Sequence, residues 1–321
     1  MNKVIIIILI LLCLQNIYPL ILNVINPSLN LEDAPFGNFI LKYLPGTEFK
    51  ENVSWGSFII LDIIAIIYCI KKIKNKPLKI ALVIFLMVYL NYLIVFPLMI
   101  LNNMYLKLTL PGNPPFIENI NGVFPQNKIL EDNFSVYKNE MLAFMDSQSE
   151  IDCFHTKTPG VTVAKTGDKC WRSVHIKTIK SFVPGFEQIC PELYKILNTP
   201  MVYNAFLSIL DPGVNIPKHV GYSRMYLRYH LGVEIPEVKE KPFIICGGQK
   251  YTWKEGKGVI FDDMYQHYVE NPTDYRRIVL FVDLIRPELM NDWVTNFLLD
   301  IMSKNIFIKN YNKNQHNSKK N

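Results

Sequence analysis

The chain has 321 residues and a formal net charge of +6, with 50% of its residues hydrophobic and 19% charged. The hydrophobic residues crowd into the first hundred positions, which excludes two similar soluble domains and points to a membrane-anchored single domain. Nucleic-acid binding is excluded as well. The lysines are spread widely or sit in one loop (Lys71, Lys72, Lys74, Lys76, Lys79) and the tail (Lys309, Lys313, Lys319, Lys320), with no basic run interleaved with stacking aromatics.

Residues 4–25 are uncharged and long enough to cross a hydrocarbon core of roughly 30 Å at about 1.5 Å per residue. After a polar loop over 26–54, residues 55–70 form a second apolar stretch with Asp62 inside it, and residues 80–101 form a third. An ionisable group in a span costs about 2.5–3.5 kcal/mol on insertion scales, so Asp62 is expected to face another helix, with Asn91 a candidate partner. The membrane anchor is therefore expected over 1–101. Five lysines between the second and third stretches, and Lys3 before the first, place those points on the cytoplasmic side, so the remaining domain is expected on the lumenal or exoplasmic side. The acceptor patterns at Asn52 and Asn133 accord with that topology.

Residues 102–125, rich in Asn, Pro and Gly, read as a linker, and 126–306 as the soluble domain. Ile129, Leu130, Phe134, Tyr137, Met141, Phe144 and Met145 give residues 128–147 the spacing of an amphipathic helix. An irregular connection is expected over 148–167 and a helix over 187–197. Short β-prone runs follow at 205–210, 225–231, 242–246, 258–261 and 277–284, separated by Gly and Pro turns, a pattern that argues for a sandwich or jelly roll. Residues 290–306 read as a terminal helix and 307–321 as a disordered tail. Cys153, Cys170, Cys190 and Cys246 form no CxxC pair, which argues against a zinc site. Their even number permits disulfides, and buried free thiols are an equal alternative.

The chemistry-bearing residues gather between Ser208 and Pro287. Pro217-Lys-His219-Val-Gly221 is followed by Leu227-Arg228-Tyr-His230-Leu-Gly232, then Trp253-Lys-Glu-Gly256, Phe261-Asp262-Asp263, His267, and Arg277-Ile-Val-Leu-Phe-Val-Asp283. In this order the motifs resemble the aspartyl/asparaginyl β-hydroxylase family of iron(II)/2-oxoglutarate dioxygenases. The resemblance reaches back through Trp171-Arg172-Ser173 and Leu130-Glu131 to about Phe124.

The resemblance implies a double-stranded β-helix in which His219 and His267 hold Fe(II) and Arg277 clamps the far carboxylate of 2-oxoglutarate, with O2 as oxidant. Ser208, Arg228 and His230 are the further cosubstrate contacts it implies. Arg228 and His230, two apart on a strand, share a face, and a structural ion pair is the alternative for Arg228. The usual third ligand, an acid two residues after the first histidine, is replaced by Gly221, as in the aspartyl/asparaginyl branch. The segment at His267-Tyr-Val-Glu270-Asn271 and Arg286-Pro287 is more similar to membrane-bound lipid A hydroxylases. Asp262 and Asp263 diverge in an extended segment and read as turn and hydrogen-bond residues; Trp253 and Gly256 read as architectural. The expected function is hydroxylation of an aspartyl or asparaginyl side chain of a polypeptide. The alternatives are hydroxylation of a lipid acyl chain and a non-catalytic jelly-roll binding protein. Oligomeric state is open.

Overall fold

The computed structural model describes residues 102–154 apart from 104, 111 and 149, residues 169–304 apart from 222, and isolated helical positions at Ile67, Lys71 and Pro77. The three expected spans, apart from Ile67, and the tail thus lie outside the described residues. Among the described residues no helix is long and apolar enough to cross a membrane. Residues Leu106–Lys304 belong to one compact unit.

Two antiparallel sheets form the body of that unit. In chain order the strands are β1 (Phe116–Ile117), β2 (Trp171–Thr178), β3 (Ser181–Phe182), β4 (Val202–Leu210), β5 (Asn215–His219), β6 (Tyr226–Glu234), β7 (Phe243–Cys246), β8 (Gln249–Thr252), β9 (Gly258–Phe261), β10 (His267–Glu270) and β11 (Arg277–Ile285). The large sheet has the order β1-β9-β6-β11-β4-β2-β3 and the small one β5-β10-β7-β8. Trp171, Phe206 and Leu210 of the large sheet pack with Ile216, Ile244, Cys246 and Val269 of the small one, so the two sheets close on a shared interior as a jelly roll.

The period of two along each strand decides what faces that interior. Leu227, Tyr229, Leu231 and Val233 of β6, and Ile278, Leu280, Val282 and Leu284 of β11, point to the outer layer of helices. Arg228, His230, Arg277 and Phe281 occupy the alternate positions, so the same parity turns them inward. The outer layer comprises α1 (Ile120–Val123), α2 (Gln126–Asp132), α3 (Phe134–Asp146), α4 (Phe186–Ile189) and α5 (Pro191–Leu197). Leu130, Tyr137, Met141 and Phe144 are the buried stripe that the spacing predicts. A further helix, α6 (Trp293–Lys304), closes the described chain within the helix expected over 290–306.

Several expectations change. The helix over 187–197 is two helices, α4 and α5, because Cys190 leaves helical geometry at φ −125° and Pro191 opens the second. The helix over 128–147 is two helices, because Asn133 leaves helical geometry at φ −117° and its side-chain amide donates to the Ile129 carbonyl at 3.2 Å. The segment 102–125 is not a linker throughout: β1 pairs with β9, and α1 is capped by Asn119, whose side chain accepts from Gly122 N at 3.0 Å. The irregular stretch after α3 is pinned at one point by a disulfide between Cys153 and Cys170, while Cys190 and Cys246 are buried free thiols. Closing a loop of this length in the unfolded chain is worth about 3 kcal/mol.

Candidate active site

The two histidines meet because β5 and β10 pair with His219 directly opposite His267, placing the ring centroids 4.1 Å apart. His219 Nδ1 lies 2.7 Å from the Pro217 carbonyl and His267 Nδ1 2.9 Å from the Tyr265 carbonyl. A carbonyl only accepts, so both Nδ1 atoms carry the proton and both Nε2 lone pairs are free to bind a metal. His219 is exposed at the rim, whereas His267 is buried and its pKa is lowered to about 3, first by burial and then by His219. Burial lowers the His219 pKa as well, so both rings are biased toward the neutral form a metal needs.

Among the described residues no group of three His, Cys, Asp or Glu side chains is placed to hold a metal, which agrees with the absence of a side chain at Gly221. The space beside Gly221 is nevertheless filled. A Cβ added there would overlap the Asp263 carboxylate, and Gly221 N donates to the Asp263 carbonyl at 2.6 Å. Among the described residues Asp263 Oδ1 is buried without a hydrogen-bond partner. The set of donors fits a two-histidine metal centre with a carboxylate alongside.

A second cluster lies further into the interior. Arg277 is 1% exposed, and its Nη1 reaches the carbonyl and Oγ of Ser208, both at 3.3 Å. Its Nε has no partner among the described residues. The guanidinium lies over the Trp253 ring at 4.7 Å, and burial alone lowers its pKa to about 9. Ser208 Oγ already accepts from Trp171 Nε1 at 2.9 Å, which leaves its own proton for another acceptor. His230, 4% exposed, is held between Phe281 and Trp253 with Phe261 at its edge, and burial keeps its pKa well below the ordinary value. Both its nitrogens and Trp253 Nε1 are buried without partners among the described residues. Unsatisfied buried donors are rare in folded proteins, and four residues that converge on one region with hydrogens to offer describe a place for an anion. A dicarboxylate such as 2-oxoglutarate suits it.

Of the predicted site residues, the structure brings together His219 with His267, and Arg277 with Ser208 and His230. Arg228 is the exception. Its Nε donates to Asp263 at 2.7 Å and its Nη1 to Asp283, all three groups being buried. The structural ion pair replaces the expected cosubstrate contact. Arg276 turns away as the strand period requires and pairs with Glu234 at the surface. Asp262, beside Asp263, instead accepts from Arg286 Nη2 at 2.7 Å and from Met264 N at 3.1 Å, which is the divergence expected of adjacent side chains. Trp253, Asp263 and Asp283 are the participants to which sequence reading gave no place in the site. The only signal for Trp253 was its position in a motif.

Residues 131–287 match the family described as Aspartyl/Asparaginyl beta-hydroxylase. The chain is 33% identical over 188 residues to an ornithine lipid ester-linked acyl 2-hydroxylase of Rhizobium tropici, covering 58% of this chain and 65% of that protein. It is 30% identical over 168 residues to the aspartyl/asparaginyl beta-hydroxylase of Homo sapiens, covering 50% and 21%. The chain thus spans less than two thirds of either relative. A prolyl-4-hydroxylase of Pseudomonas putida aligns over 48% of this chain and 88% of its own at 12% identity and a TM-score of 0.31, too remote to carry an argument. The matched segment, just under half of the chain, is of the aspartyl/asparaginyl β-hydroxylase family.

Proposed function

We propose that this protein is an iron(II)- and 2-oxoglutarate-dependent hydroxylase anchored in a membrane, and that its substrate is the acyl chain of a membrane lipid. The observation that carries the cofactor reading is the buried Arg277, which meets no carboxylate among the described residues and lies with the His230 and Trp253 donors that have no partner among them, in the same barrel as the two histidines. His219 and His267 would hold the metal through Nε2. When bound, iron and 2-oxoglutarate supply the oxidation, in which O2 and 2-oxoglutarate give succinate and carbon dioxide while a substrate C–H becomes C–OH. Arg277 would take the far carboxylate through its fork of donors, Ser208 would donate its hydroxyl proton, and neutral His230 would donate from one ring nitrogen. Trp253 and Phe281 exclude water from these contacts, which strengthens them. Asp263 Oδ1 is placed to accept a hydrogen bond beside Gly221.

The lipid reading rests on the ornithine lipid acyl hydroxylase, which is similar over more of this chain than the human relative. Gly221, with Asp263 occupying its space, favours the second reading, an aspartyl or asparaginyl side chain of a polypeptide. The disulfide between Cys153 and Cys170 supports a lumenal or exoplasmic domain, where disulfides persist.

The test is the full chain in lipid nanodiscs with Fe(II), ascorbate and 2-oxoglutarate, following succinate and the mass of candidate substrates. Succinate formation coupled to one oxygen atom gained by an ester-linked acyl chain, abolished in His267→Ala, is the expected result. Oxygen gained by an Asp- or Asn-containing peptide instead would establish the second reading. Failure of both substrates, with no succinate, would leave a non-catalytic binding protein.

A further inference from the structure

The helix α6 buries one side and exposes two aromatic rings on the other, where they share the stripe with Asn296 and Asp300. Its inner side carries Thr295, Leu298 and Leu299, all buried. Its outer side carries Trp293, 76% exposed, and one turn later Phe297, 57% exposed. Such rings in water lose apolar burial with no structural return, and a pair on one helical face is a patch rather than a scattered residue.

The surrounding charge indicates what covers the patch. Asp292, at the start of the helix, is engaged through Oδ2 with Thr295 N at 2.7 Å, and Asp300 is the only acid within the helix. From Lys304 to the end of the sequence there is no acid, while Lys304, Lys309, Lys313, Lys319 and Lys320 are basic, with Ile306, Phe307 and Ile308 between. Trp and Phe followed by lysines is the composition of a segment that lies at a bilayer surface, the rings at the headgroup boundary and the cations on anionic lipid. A second copy of the chain is a poorer occupant: the two rings offer roughly 300 Å², against about 800 Å² per partner in a stable dimer.

We propose that the outer face of α6 is a membrane seat, with Trp293 and Phe297 at the headgroup–acyl boundary of an anionic phospholipid surface. The seat joins the barrel near its metal end. The chain reaches α6 through Arg286, whose guanidinium holds Asp262, next to the carboxylate that fills the space at Gly221. This inference does not require the hydroxylase reading and is tested without activity.

The full chain carrying Trp55→Phe, so that Trp171, Trp253 and Trp293 remain, is reconstituted in phosphatidylcholine–phosphatidylglycerol vesicles with plain or brominated acyl chains. Brominated lipid is expected to quench the Trp293 emission severalfold, and the quenched component should vanish in Trp293→Phe. Replacing Lys309, Lys313, Lys319 and Lys320 by Gln, or using phosphatidylcholine alone, should reduce the quenching at least twofold. Quenching by aqueous acrylamide without effect of bromine would place the face in water and overturn the seat. Protection from both quenchers would mean that protein, from this chain or a second copy, covers it. Quenching indifferent to lysines and lipid charge would overturn the anionic surface as partner.

Discussion

Two arginines lie buried in the same barrel, on neighbouring strands, and are treated in opposite ways. Arg228 on β6 is clasped by Asp263 and Asp283. Arg277 on β11 faces the same interior with a serine, a tryptophan ring and, among the described residues, no carboxylate. A guanidinium taken out of water costs several kcal/mol unless a counter-charge meets it. The described residues supply two carboxylates in one case and none in the other, so Arg228 belongs to the fold and Arg277 to whatever anion enters.

The largest effect should therefore come from Arg228. In Arg228→Met two buried carboxylates face each other without their cation, and urea unfolding should show a loss of about 3–5 kcal/mol. A variant within about 1 kcal/mol of the parent would remove the structural role. Arg277→Met should give the opposite pattern. Stability should stay equal or rise, since an unpaired buried cation is removed, while the concentration of 2-oxoglutarate needed for half-maximal succinate formation should rise roughly 30-fold or more, from a loss of about 2–5 kcal/mol. Equal cosubstrate affinity in parent and variant would move the clamp elsewhere.

The comparison sharpens further with pH. His267 and His230 are neutral in the fold because burial depresses their pKa values, while in the unfolded chain each titrates near 6.5. The unfolded state then binds more protons below that pH, so the metal-free protein should lose stability as pH falls from about 6.5, by roughly 1.4 kcal/mol per pH unit for each such ring. For His267 the loss continues to about pH 3. His230→Phe should flatten the slope by one proton, measured as unfolding free energy at a series of pH values. An unchanged slope would mean that His230 is already charged in the fold.

Much of this arrangement is legible in the sequence. The period of two alone puts Arg228 and His230 on one face. Motif order brought His219 to His267 across a separation that no local pattern spans. What could not be read was register. Asp263 and Asp283 reach Arg228 from 35 and 55 residues away, and only the pairing of β6 with β9 and β11 says that they do. The break at Asn133 was hidden because the apolar spacing runs on across it. Residues 116–117 looked like linker because a strand of two residues has no period to detect.

The carboxylate beside Gly221 also constrains what this sequence can become. Most enzymes of the expected chemistry carry an acid two residues after the first histidine, yet Gly221→Asp here would drive its side chain into Asp263. Shortening residue 263 to make room would strip Arg228 of one of its two anions. The acid introduced by Gly221→Asp would have to serve that arginine as well, in the same generation, for the interior charge to balance. Positions 221, 228 and 263 are thus coupled: the space at one and the charge balance of the other two depend on the same carboxylate.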